Sequence, residues 1–259
     1  MTVSPCAADF CVYNRELYQF LVAAQRKSIK NNSTQIASIS LEINLVDPLV
    51  VLNKLAQPHQ LNFYWENQSK KEAIAAIGTV AKLQTQGKER FSKSEGFIKY
   101  CLKNIINFGT TERTFSKPLF FCGFSFFDIN KQENYPFPAA TVFLPRWQIA
   151  VKEECCILVA NFSIHADVNI EKILQILWRK IEIIHSWEFY SPHQNFQEPK
   201  FSKKSVANPE KFKNSVLSAL ETIRSTHVSK IVLADALDVS SNTPFDLFNS
   251  LHNLRQLHP

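Results

Sequence analysis

The sequence predicts an α+β fold, and three observations lead there. Predicted strands run in groups rather than in strict βαβα alternation, and amphipathic helices separate the groups. The chain has 259 residues, 45% hydrophobic and 20% charged, enough to bury a core in one large domain or two ordinary ones.

The elements follow in order. A first helix runs from Asn14, as its cap, to about Lys27, with Leu17, Phe20, Leu21 and Ala24 on one stripe. Ile39, Leu41, Ile43 and Leu45 then alternate with Ser38, Ser40, Glu42 and Asn44, the pattern of a half-buried strand. Asp47 caps the next helix and Pro48 takes its first position, where a missing N–H costs nothing. LNFYWEN and AIAAIGTVAKLQ read as a pair of strands, the second carrying Gly78. Ser92 and Glu95 have capping-box spacing ahead of a helix striped by Phe97, Ile98, Cys101, Leu102, Ile105 and Ile106.

From Pro118 the chain turns to β structure. PLFFCGFSFFD is apolar on both faces and predicts a strand buried on both sides or inside a sandwich. AATVFLPRWQIAV is interrupted by Pro145, which marks an edge or a bend, and CCILVANFSI follows as a third strand. Asp167 is expected to cap a helix with Ile170, Ile173, Leu174, Leu177, Ile181 and Ile184 on one side. Residues 188–206 have no period and two prolines, and read as a linker. Asn208 and Pro209 open a helix striped by Phe212, Val216, Ala219, Leu220 and Ile223. A strand from Lys230 follows, and Thr243 and Pro244 launch a last helix with Leu247, Phe248, Leu251 and Leu254 on one face.

Composition removes several classes of function. The net charge of +6 and pI of 8.9 favour anionic partners in general. No Lys/Arg-dense run with interleaved aromatics is present; the nearest, KFSKK at 200–204, reads as a solvated loop, so no nucleic-acid partner is expected. None of the six cysteines forms C-x-x-C, no His/Cys cluster has zinc spacing and no secretory signal is seen. These features predict reduced, buried thiols in a cytoplasmic protein. No apolar run reaches the roughly 18–20 residues of a membrane span. Glycine-rich phosphate loops and a G-x-S-x-G elbow are absent among the five glycines.

The stretch SKIVLADAL carries the sharpest chemical signal. In a strand, Lys230, Val232, Ala234 and Ala236 share one face, and Ile231, Leu233, Asp235 and Leu237 share the other. The second face is suited to a core, while the first leaves space beside an amine. Asp235 stands opposite Lys230, as a paired or solvated group. A lysine at a strand end commonly snorkels to water, so the pattern alone does not assign it a role.

Five stretches in order do. FYWEN (63–67), AIAAIG (73–78), FFCGFSFFD (120–128) with FPAATVFLPRWQI (137–149), KIVLADAL (230–237) and FDLFNSLHNLRQLHP (245–259) together resemble the chorismate-utilising enzymes, most closely the isochorismate synthases. Anthranilate synthase component I and salicylate synthase are related members. The resemblance covers most of the chain and corresponds to that family's N-terminal portion. It departs at Cys122-Gly123, where relatives often have two glycines, and at Asp235, where many have arginine. The implied fold is the N-terminal part of the anthranilate-synthase-component-I-like sandwich of two antiparallel sheets with outer helices, truncated. Residues 1–200 would form the N-terminal region and 205–259 the start of the chorismate-binding region.

By motif position, the resemblance makes Lys230 the general base that activates water for attack on C2 of chorismate while the C4 hydroxyl leaves. Val232 and Ala234 would line the substrate side. Lysine here, where aminating relatives commonly have glutamine, points to isochorismate or salicylate synthase. Burial or nearby cations can lower a lysine's pKa enough for such a role. The resemblance also implies Mg²⁺, held by acidic residues that, with the general acid, lie beyond the motif ending at Pro259. Glu153-Glu154 reads as a solvated turn, Glu66 as a surface residue, and His165, His185, His193 and His227 as too scattered to ligate. The chain alone is therefore expected to be inactive, as a truncated or split isochorismate synthase serving quinone, salicylate or siderophore synthesis. A salicylate synthase, or a non-catalytic fragment that associates with a separately encoded C-terminal half, remain the alternatives.

Overall fold

The computed structural model describes residues 7–109, 112–129, 137–187, 201–206 and 208–257, with side chains described from Asn14 onward. The chain divides into two units, Met1–Ser191 with Leu254–Pro259, and Pro192–Asn253. Most of the predicted linker, residues 188–200, lies outside the described residues.

In the first unit, β1 (Gln35–Ile43) pairs antiparallel with β9 (Cys155–Ile164) and parallel with β5 (Ile105–Gly109). With β2 (Asn62–Asn67), β3 (Glu72–Ile77) and β8 (Trp147–Lys152) they form a six-stranded sheet, ordered β2-β3-β8-β9-β1-β5. A three-stranded sheet, β4-β7-β6, is built from Ala81–Thr85 (β4), Phe121–Phe124 (β6) and Ala140–Leu144 (β7). Two stacked sheets match the predicted α+β class. The parallel β1–β5 pair departs from the antiparallel expectation. It arises because α3 (Arg90–Asn104) runs straight into Ile105 and returns the chain in the direction of β1.

The sheet-to-sheet core is Ile74, Ala76 and Ala150 against Phe121 and Phe143. The opposite face of the large sheet carries the alternate residues Ile39, Phe162 and Trp147, and Trp147 meets Phe162 edge-on at 5.7 Å. α1 (Ala7–Asn31) buries Leu17, Leu21 and Ala24, and its Phe20 ring lies 5.1 Å from Phe108 of β5. α4 (Ile170–His185) buries all six residues of its predicted stripe. α2 (Pro48–Leu55) opens as predicted, with the Asp47 carboxylate accepting the Leu49 N–H at 2.9 Å.

Several local expectations are corrected. β1 is not half-buried: Ser38 and Ser40 are 0% and 2% exposed, because strands flank it on both sides and the chain around residues 113–119 covers its polar face. There the Ser40 hydroxyl donates to the Ser116 carbonyl, while Gln148, fully buried on β8, donates to the Phe115 and Lys117 carbonyls and accepts from the Leu119 N–H. The predicted strand AIAAIGTVAKLQ is two strands in different sheets, broken at Gly78, whose φ of +64° turns the chain out of line. Pro145 makes the corresponding bend between β7 and β8.

The Phe-rich segment is not buried on both sides. β6 is a short edge strand, and Phe126 and Phe127 beyond it are 91% and 71% exposed. α3 starts before Ser92, so the expected capping box does not form: Ser92 donates to the Glu89 carbonyl and Glu95 pairs with Lys99 on the surface. Ile105 and Ile106 belong to β5, and Leu102 is exposed. Asn14 lies inside α1 and accepts the Trp178 indole N–H at 3.2 Å, while Asn169, not Asp167, caps α4.

The second unit holds an antiparallel pair, β10 (Phe201–Ser205) with β11 (Leu237–Ser241), and α5 (Pro209–Ser225), capped by Asn208 as predicted. β10 falls within the predicted linker. α6 (Leu247–Leu257) begins three residues beyond Pro244, and the Asp246 carboxylate accepts the Asn249 N–H there. Its last turn, from Leu254, belongs with the first unit. Among the described residues no helix is long and apolar enough to cross a membrane.

Candidate functional site

The Lys230 stretch leads from α5 towards β11. The predicted strand does not begin at Lys230: ladder pairing starts at Leu237, extended by one bond from the Val206 N–H to the Ala236 carbonyl. β10 ends at Ser205, so among the described residues nothing continues the ladder beside residues 230–235.

The face predicted to suit a core is not buried: Leu233 and Leu237 are 37% and 55% exposed, Asp235 is exposed, and Ile231 is half-buried. Ile231 and Leu233 line an open groove of about 680 Å³ with Asn214, Ser215, Ser218 and Thr222 of α5. Lys230, Val232 and Ala234 are exposed, Val232 to 79% against 37% for Leu233. The Asp235 carboxylate accepts the Ala236 N–H at 2.8 Å. Among the described residues Lys230 has no ion pair, so its amine is free to face a ligand or water.

A second constellation escaped sequence reasoning. Arg255 donates to both Asp47 oxygens at 2.7 and 2.9 Å, to Glu66 at 2.8 Å and to the Tyr64 hydroxyl at 2.7 Å. Tyr64 in turn donates to Glu66 at 2.7 Å, and Gln68 donates to the Arg255 carbonyl at 3.0 Å. Glu66 is therefore a paired member of a cluster rather than a free surface group. Burial works against the Arg255 charge, but the bonds to Asp47 outweigh it and hold the guanidinium firmly protonated. Burial and then the bond to Glu66 push the Tyr64 phenol up, so it stays a donor. The available signal was Tyr64 and Glu66 on one face of β2, with Asp47 already assigned as a cap. Nothing local pointed to a partner about 190–210 residues away.

Other candidates separate. Glu153 and Glu154 form an exposed turn, with Glu153 at φ +55°, as predicted. His165 and His227 are exposed and distant in the chain from half-buried His185, and His193 lies outside the described residues. Cys101 and Cys156 are buried free thiols, whereas Cys122 is exposed and Cys155 half-buried, against the expectation of burial throughout. Cys6 and the Cys11 side chain lie outside the described residues. Among the described residues no group of three or more His, Cys, Asp or Glu side chains could hold a metal ion, so the residues present do not fit the implied Mg²⁺.

The family described as "Chorismate binding enzyme" matches residues 20–259. The solved structure of MenF, the menaquinone-specific isochorismate synthase from Escherichia coli, matches with a TM-score of 0.55 at 14% identity. The match covers 92% of this chain and 50% of that one, so the chain spans about half the length of this structural relative. No curated protein matches the chain.

Proposed function

This chain belongs to the chorismate-binding enzyme family, and on that premise we propose that it carries the base-bearing part of an isochorismate synthase-type isomerase. In this reading Lys230 takes a proton from water, whose oxygen bonds to C2 of chorismate. The ring double bonds move from C1=C2 and C5=C6 to C6=C1 and C4=C5, and the C4 hydroxyl leaves as water after receiving a proton from an acid. One water is consumed and one released, so the net reaction is an isomerisation.

The observation that carries the reading is the two-sided arrangement of residues 230–234. Ile231 and Leu233 are turned to the α5 groove, and Lys230, Val232 and Ala234 are left open. Short side chains beside the amine would let a substrate ring approach closely. The acid and any Mg²⁺ donors would come from polypeptide outside the described residues, and no step here is routed through the metal. Losing such electrostatic partners typically removes two or more orders of magnitude in rate, so the 259-residue chain alone is expected to be inactive.

A second reading makes the chain a non-catalytic partner of a separately encoded C-terminal half. It is favoured by α5, where no residue is buried although five apolar side chains share a stripe.

The test is to incubate the purified chain with chorismate and Mg²⁺ and to separate the products. We expect neither isochorismate nor salicylate from the chain alone. Isochorismate is expected when the remaining half of the fold is co-expressed, and it should disappear in Lys230→Ala. Turnover by the chain alone would overturn its dependence on a second half. Full activity of Lys230→Ala would overturn the base assignment, and salicylate as product would assign the lyase branch.

A further inference from the structure

The last turn of α6 meets the first unit by its polar side. Leu254 and Leu257 of that turn are 59% and 72% exposed, while the Arg255 side chain between them is only 18% exposed. An amphipathic helix ordinarily docks by burying its leucines, and here the order is reversed.

The seat is specific. Asp47 presents both carboxylate oxygens to the guanidinium fork, a geometry that an ammonium group cannot reproduce. Glu66 and Tyr64 reach it from β2, a strand that α2 also contacts, and Gln68 holds the Arg255 carbonyl. Docked in this way, Arg255 forms one wall of a groove of about 540 Å³, whose other lining includes Asp47, Glu66, Gln68, Glu72 and Glu153.

We propose that Arg255 is a positioning residue: its guanidinium seats the last turn of α6 as a detachable strap that closes this groove, and the turn undocks with the sheet intact when that contact is lost. The strap is polar because its partners are Asp47, already committed to capping α2, and Glu66 and Tyr64. Leucines would leave both carboxylates without a cation. The proposal is independent of any role for Lys230.

Hydrogen exchange followed by mass spectrometry on the full 259-residue chain tests it, read separately over residues 251–257, 48–52 and 155–164. Arg255→Ala should speed exchange in 251–257 by about tenfold or more and leave β9 unchanged, with Arg255→Lys intermediate. Asp47→Ser keeps a capping oxygen but loses the fork, so it should loosen 251–257 while 48–52 stays protected. Leu254→Ala should change neither. Uniform loss of protection across the sheet in Arg255→Lys, unchanged exchange of 251–257 in Arg255→Ala, or an equal effect of Leu254→Ala would each overturn the proposal.

Discussion

One oxygen of Asp47 serves two elements about 200 residues apart. Its Oδ1 accepts the Leu49 N–H at 2.9 Å, capping α2, and also the Arg255 Nη2–H at 2.9 Å, while Oδ2 accepts from Nη1 at 2.7 Å. Removing the carboxylate therefore costs a cap and an ion pair together. Asp47→Ala should destabilise the chain by about 1 kcal/mol more than Arg255→Ala, which leaves the cap in place. Urea unfolding of the two variants checks the difference.

Gly109 ends β5 at φ +92°, and an added Cβ there would overlap the Ser40 backbone carbonyl. Neither the backbone angle nor the neighbouring strand can relax without breaking the β1–β5 ladder. Gly109→Ala should lose about 3 kcal/mol or more, seen as a lower urea midpoint.

Gln148 satisfies three backbone groups of the 115–119 segment from a fully buried position. Gln148→Leu keeps the volume but leaves two carbonyls and one N–H without a partner. A loss of about 2–4 kcal/mol is expected, with faster hydrogen exchange confined first to residues 115–119. A neutral outcome would mean that water replaces the side chain.

Burial pushes the Cys156 thiol from 9.0 up to about 12. The unfolded chain releases this proton near pH 9 and the folded chain holds it. The contribution to stability is thus full below pH 9 and lost as pH rises towards 12, at up to about 1.4 kcal/mol per pH unit. The readout is the difference between the parent chain and Cys156→Ala. That difference should narrow with rising pH.

Lys230 is exposed and unpaired among the described residues, so Lys230→Ala should change stability by no more than about 0.5 kcal/mol. A large loss in urea unfolding would show that the amine holds the fold together, and would weaken its assignment as a base.

The α+β class, the helix caps at Asp47 and Asn208, the buried stripe of α4 and the bend at Pro145 were all legible in the sequence. Each rests on residues within a few positions of one another. The alternation of small and larger side chains from Lys230 was legible for the same reason. The strand itself was not, because a strand exists only where another lies beside it, and Leu237 is the first residue with a ladder partner in β10.

By itself the sequence determined where most of the helices lie, which stripes are apolar, and where a lysine stands among small residues. These properties follow from periodicity, capping and backbone restriction, all short-range. Only the tertiary structure decided that the serines of β1 are interior, that Gly78 and Pro145 pass the chain between two sheets, and that Arg255 finds Asp47, Glu66 and Tyr64. Burial and ion pairing are properties of neighbours in space, and in this chain those neighbours are separated by up to 208 residues.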